Sequence, residues 1–161
     1  MPLKEGQKAP DFTLPDINKN KVSLSDFKGR NVVIFFFPAA WTGTCTKEMC
    51  TVQADFGTYD HLNAVPIGIS TDSVFALKRF KEDFKLDNVI LLSDFNKETI
   101  KAYDIVLKGF AGVMDGVANR ATFVIDKEGV IRFVHVTPTP GDHPDMDAIK
   151  KAVEEVSHVT T

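Results

Sequence analysis

The 161 residues predict an α/β fold, with a central mixed sheet flanked by helices and a β-hairpin added at the N-terminus. Three observations carry that prediction. Residues 31–37 form a continuous β-branched and aromatic run, as expected of a strand buried on both faces. A second such run, residues 64–70, follows a stretch of helical apolar spacing, which makes a parallel strand–helix–strand unit. Near the C-terminus two more apolar runs are joined by Asp126-Lys127-Glu128-Gly129. Gly129 fits the left-handed position such a hairpin needs, so this pair is antiparallel.

The elements follow in order. Phe12-Thr13-Leu14 reads as a short strand, Asn18-Lys19-Asn20 as a turn and Val22-Ser23-Leu24 as the returning strand. Ser25-Asp26-Phe27-Lys28-Gly29 is one helical turn closed by glycine. After a loop, Met49, Val52, Phe56 and Tyr59 recur at helical spacing and predict one helix over 44–62. Ser73 caps a helix carrying Val74, Leu77, Phe80 and Phe84 on one stripe. A strand over 89–92 and a helix over 97–103 come next. Residues 104–119 are Gly-rich and irregular. Strands over 121–125 and 130–136 precede a loop with three prolines over 137–144, and a last helix covers 146–156. No repeat or linker interrupts the chain, so residues 1–161 are expected to form one domain with one full core. This element order matches a thioredoxin-like fold with an N-terminal hairpin. Fold alone leaves the chemistry open.

Composition narrows the functional classes. A net charge of −3 lacks the electrostatic footprint for nucleic acid or an anionic membrane. Met1-Pro2-Leu3-Lys4-Glu5-Gly6 has no apolar signal core, and the apolar run 32–37 is too short to span a bilayer. A cytoplasmic protein with reduced thiols is therefore expected. Thirteen Phe against two Tyr and one Trp predict a dry core, with Phe35-Phe36-Phe37 in it and the end of that run as a site wall. The chain has two cysteines, Cys45 and Cys50. His61, His135, His143 and His158 show no zinc-like spacing to them, so no metal and no cofactor are expected. His135 and His143 read as structural.

The informative stretch is Phe37-Pro38-Ala39-Ala40-Trp41-Thr42-Gly43-Thr44-Cys45. It joins the carboxyl end of a buried strand to a helix start, where ligand sites form in open α/β sheets. Cys45 falls in the first helical turn, among free backbone N–H groups at the positive end of the dipole. Both favour a thiolate, which is the reactive form. The same donors can stabilise an oxygen that gains negative charge. Thr42 can place a hydroxyl that accepts from and donates to a substrate; its plainer reading is helix capping. Pro38 can shield the sulfur without offering a competing N–H. Arg120 opens a strand after a Gly-rich loop, and its planar fork can touch sulfur and oxygen together; the alternative is a surface ion pair. Lys78, Arg79 and Lys108 read as solvated. Trp41 reads as a wall or contact aromatic. Cys50 reads either as chemically active or as a core cysteine beside Met49 and Val52.

Pro38-x-x-x-Thr42-x-x-Cys45 resembles the peroxiredoxin motif P-x-x-x-T/S-x-x-C. The similarity extends from Ala9-Pro10-Asp11-Phe12 to Ile131-Arg132-Phe133. Leu91-Leu92-Ser93-Asp94-Phe95 and Ala118-Asn119-Arg120-Ala121-Thr122-Phe123-Val124-Ile125-Asp126 resemble the alkyl hydroperoxide reductase E type. The resemblance implies that Cys45 is the peroxidatic cysteine, that Pro38, Thr42 and Arg120 surround it, and that hydrogen peroxide or an organic hydroperoxide is the substrate. Glu48 matches a frequent family position, or is a first-turn residue favourable to the dipole. Cys50, five residues after Cys45, is similar to the resolving cysteine of the peroxiredoxin Q type. That type has T-P-G-C where this chain has Thr42-Gly43-Thr44-Cys45, and many E-type members lack a cysteine at this place. Two cycles are therefore implied. In one, a Cys45–Cys50 disulfide is recycled by thioredoxin. In the other, a one-cysteine peroxidase is recycled by a low-molecular-weight thiol or a glutaredoxin-like protein. A reading of another class is a non-enzymatic redox sensor or holdase. Homodimers are common in the family, and the loop with Trp41 could meet a second copy.

Overall fold

The computed structural model describes residues 3–159, with side chains described to residue 157. Met1 and Pro2 of the N-terminal reading, and the His158 side chain, lie outside them. The chain opens with an antiparallel pair, β1 (Thr13–Pro15) and β2 (Lys21–Ser23). Its turn puts Lys19 at φ 65° and is tied by Asp16, whose Oδ1 accepts from the Asn18 and Asn20 N–H groups. A 3₁₀ turn, Leu24–Phe27, follows and is closed by Gly29 at φ 92°.

Next come β3 (Asn31–Phe36), α1 (Gly43–Ala54), α2 (Phe56–His61), β4 (Ala64–Ser70), α3 (Val74–Phe84), β5 (Ile90–Ser93) and α4 (Glu98–Ala102). They are followed by β6 (Val106–Leu107), β7 (Val117–Ala118), β8 (Ala121–Ile125), β9 (Ile131–Val136) and α5 (Met146–Val159). The five-stranded sheet has the order β5-β4-β3-β8-β9. β3, β4 and β5 run parallel; β8 is antiparallel to β3, and β9 to β8. Every residue of β3 and β4 is buried, which explains their unbroken apolar runs. The two-residue period splits β3 between two cores. Val33, Phe35 and Phe37 join α1, α3 and α5 on one face. Val32, Ile34 and Phe36 join the hairpin and α4 on the other, where Tyr103 stacks on Phe123 at 5.1 Å. Among the described residues no helix is long and apolar enough to cross a membrane.

Three expectations need correction. The helix expected over 44–62 is two helices, broken at Asp55, whose ψ of 5° leaves the helical range. The Asp55 carboxylate is held by Lys150 Nζ of α5 at 3.3 Å, and Gly57 weakens the following turn. Apolar spacing carried on through the break because Tyr59 still turns inward, edge-on to Phe35 at 6.2 Å. The irregular segment 104–119 contains the short pair β6–β7, with Val106 opposite Ala118. Two residues per strand are too few to leave a period-2 signal. The last helix extends to Val159, three residues past the expected end.

Candidate active site

The register of β3 and β8 brings the site together. Phe36 lies opposite Ala121, so Arg120 stands level with the loop leaving β3. That loop enters α1 with Thr42 as N-cap, which makes Cys45 the third helical residue. Arg120 is 1% exposed, and Cys45 and Glu48 are fully buried. Arg120 Nη2 donates to Cys45 Sγ at 3.0 Å, Nη1 to Glu48 Oε1 at 2.6 Å, and Nε to the Pro140 carbonyl at 3.0 Å. The surface ion-pair reading of Arg120 is overturned, because this guanidinium is enclosed and its fork is committed on both edges.

Glu48 sits one turn beyond Cys45, so it is not the first-turn residue that the dipole reading required. Burial pushes its carboxyl up to about 7, against the downward pull of the Arg120 charge and hydrogen bond. Its Oε2 has no hydrogen-bond partner in the structure, which is the cost of enclosing the group. The raised value has a consequence for stability. A folded-state pKa above the unfolded one means the folded protein holds the proton longer. The contribution is present below about pH 4.5 and fades as pH rises through about 7. Glu48→Gln is expected to flatten the fall in unfolding free energy between those pH values, measured by urea titration. An unchanged slope would show that Glu48 does not titrate there.

Thr42 Oγ1 donates to the Ala39 carbonyl at 2.8 Å and makes no capping bond. Its proton is therefore committed, which leaves the hydroxyl as an acceptor in this conformation. Pro38 is buried at the end of the strand run. Trp41 is 47% exposed, adopts φ 75° and packs against Phe80 and Phe84 at 5.6 and 5.7 Å, as a contact aromatic would. Cys50 is half-buried on the same helix as Cys45, packed against the first core, and burial pushes its thiol up. Arg79 lies exposed in a pair with Asp83, and Lys78 and Lys108 are exposed too.

Two contributors escaped the sequence. The 137–144 loop closes over the site through carbonyls, Pro140 to Arg120 and Gly141 to Thr44 Oγ1 at 3.0 Å. A carbonyl belongs to every residue, so it leaves no sequence mark. His143 of that loop is held below its usual range by burial, then by Lys47 and Arg120. The second is Asp72, whose Oδ2 accepts from the Ala40 N–H at 2.8 Å. A cleft lined by Lys8, Leu24, Arg30, Val32 and Ile125 lies elsewhere on the molecule and shares no residue with this cluster.

Residues 5–134 match the AhpC/TSA family. The chain is 38% identical over 133 residues to a chloroplast peroxiredoxin Q from Oryza sativa subsp. japonica, covering 83% of this chain and 59% of that protein. It thus spans under two thirds of the rice protein's length. It is 35% identical over 147 residues to peroxiredoxin Bcp of Escherichia coli strain K12, covering 90% and 93% of the two chains. The crystal structure of a peroxiredoxin-like protein from Aquifex aeolicus superposes with a TM-score of 0.87 at 28% identity, covering 97% of this chain and 89% of that one. That likeness agrees with the thioredoxin-like α/β fold expected from the element order. A family match over most of the chain, with relatives above one third identity, makes this protein a member of the AhpC/TSA peroxiredoxin family, with Bcp and peroxiredoxin Q homologues.

Proposed function

We propose that the protein is a thiol-dependent peroxidase reducing hydrogen peroxide and organic hydroperoxides at Cys45. The Cys45 thiolate attacks one oxygen of the peroxide. An S–O bond forms, the O–O bond breaks, and the electron pair leaves on an oxygen that takes up a proton as water or alcohol. Cys45 is left as a sulfenic acid. Arg120 shares its charge between the sulfur and the developing oxyanion, Pro38 keeps water from the thiolate, and Thr42 accepts from the peroxide OH. Glu48 orients the guanidinium, and Trp41 walls the entrance. The observation that carries this reading is the 3.0 Å contact of Arg120 Nη2 with Cys45 Sγ in a fully buried cluster.

The second half of the cycle is a Cys45–Cys50 disulfide. The Cys50 thiolate displaces the sulfenic oxygen, which leaves as water, and thioredoxin or a similar dithiol then reduces the bond. Both cysteines lie in α1. Residues five apart in a helix have Cα atoms about 8–9 Å apart, whereas a disulfide needs about 7 Å or less. The first turn of α1 must therefore unwind. The intact helix is also the one observation that favours the other cycle, in which an external thiol or glutaredoxin-like protein reduces a one-cysteine enzyme. Cys50→Ser separates them. It is expected to react once with peroxide, stop as a sulfenic acid by mass spectrometry, and lose thioredoxin-supported turnover by about tenfold or more. Undiminished turnover would sink the resolving role. A redox sensor or holdase would consume one equivalent of peroxide per chain, and the peroxidase many.

The remaining parts of the reading are finer. The E-type likeness around Leu91 and Arg120 combined with a Q-like second cysteine describes the subgroup. The enzyme acts as one domain in the cytoplasm, and the exposed Trp41 side is where a second copy would dock.

A further inference from the structure

We propose that Asp72 is a positioning residue for the peroxide, acting through a single peptide plane to aim the Thr42 hydroxyl; the inference rests on the peroxidase reading above. Asp72 lies just beyond β4 and is fastened to the sheet. Its Oδ2 accepts from Ser70 Oγ at 2.6 Å, its N–H donates to Ser70 Oγ at 3.3 Å, and its carbonyl accepts from Ser93 Oγ at 2.5 Å. Ser70 and Ser93 are neighbours across β4 and β5, and both are buried. The carboxylate is thus anchored to the rigid part of the fold.

Among the described residues, its one outward bond goes to the loop between β3 and α1. Asp72 Oδ2 accepts from the Ala40 N–H at 2.8 Å. That N–H and the Ala39 carbonyl belong to one peptide group, and no peptide bond in the described chain is cis. In a planar trans peptide the two point in opposite directions, so gripping one fixes the other. The Ala39 carbonyl is the group that takes the Thr42 hydroxyl proton, at 2.8 Å. With its hydrogen held there, Thr42 turns its lone pairs away, ready to accept from a peroxide OH. The next residue, Trp41, adopts φ 75°, a strained value for a bulky side chain, and such strain persists only where the surroundings hold it. Asp72 supplies that hold. The Asp72 carboxylate touches neither the sulfur nor the guanidinium among its hydrogen bonds, so its effect is on aim rather than on thiolate charge.

The test separates those effects. Single-turnover reaction of Cys45 with hydrogen peroxide is followed by rapid quench and mass spectrometry. The pH profile of Cys45 alkylation by iodoacetamide is measured in parallel. Asp72→Ala is expected to slow the peroxide reaction about tenfold or more while leaving the alkylation profile in place. Asp72→Asn, whose amide oxygen can accept from both donors, is expected to return within about threefold of wild type. In a Thr42→Val background, Asp72→Ala is expected to add no further loss, since both act through one hydroxyl. If Asp72→Ala does not fold, Ser70→Ala frees the same carboxylate from β4 and is expected to lose about threefold or more in the peroxide reaction alone. An Asp72→Ala chain (or, failing that, Ser70→Ala) reacting at the wild-type rate overturns the inference, as does a matching shift of the alkylation profile. A wild-type chain inert to peroxide instead overturns the peroxidase reading.

Discussion

Cys45→Ser is expected to lose peroxide consumption on the order of a thousandfold or more. A serine hydroxyl stays protonated at neutral pH, so the N–H of Arg120 that now points at the sulfur at 3.0 Å would face a neutral oxygen and find little nucleophile to assist. The substitution is close to isosteric, and the hydroxyl can still accept from Arg120, so the fold is expected to stay intact. Peroxide disappearance in a coupled assay and the thermal midpoint should be read together. Activity above a tenth of wild type, on a folded chain, would remove Cys45 from the reaction.

Arg120→Met is expected to cost two different things. The first is rate. The guanidinium is the cation that meets both the sulfur and Glu48, and loss of one fixed donor to a developing oxyanion typically lowers rates by about 100- to 1,000-fold. The second is stability. Removing one partner of a buried pair typically costs about 3–5 kcal/mol, because the other charge is stranded. Here Glu48 can take up a proton instead, its carboxyl being already pushed up to about 7 by burial. The loss is therefore expected below that range at pH 6 and nearer to it at pH 8. Adding Glu48→Gln to Arg120→Met should recover much of the stability at pH 8 and none of the rate. Arg120→Lys is not a rescue, since one ammonium cannot span Cys45, Glu48 and Pro140 as the planar fork does. Denaturant unfolding at the two pH values and stopped-flow peroxide kinetics check both halves. A variant that kept wild-type rate would detach the arginine from the chemistry.

The two substitutions probe parts of the site that differed in legibility. Pro38, Thr42 and Cys45 lie on one strand–loop–helix segment, where spacing and local periodicity carry the geometry. Glu48 follows Cys45 by three, a separation that in a helix leaves two side chains on one face. Residue type and the strand after it mark Arg120 as a candidate, yet they leave a surface ion pair equally open. Nothing within residues 104–121 says that its side chain is 1% exposed. The break at Asp55 was hidden because an apolar stripe continued across it. The 137–144 loop was hidden because its contacts to the site are carbonyls. Asp72 was hidden because an aspartate at the end of a strand has many ordinary uses.

By itself the sequence determined the chain order of the five strands of the main sheet, the buried strand β3, the place of Cys45 in a first helical turn and the resemblance to a family. These depend on neighbours along the chain, where steric preference and hydrophobic period act directly. Tertiary structure alone decided which distant groups meet that sulfur. Arg120 arrives from 75 residues away, and it does so because Phe36 pairs with Ala121 in an antiparallel ladder. A register is set by how two whole faces pack, and no short segment of sequence contains that information.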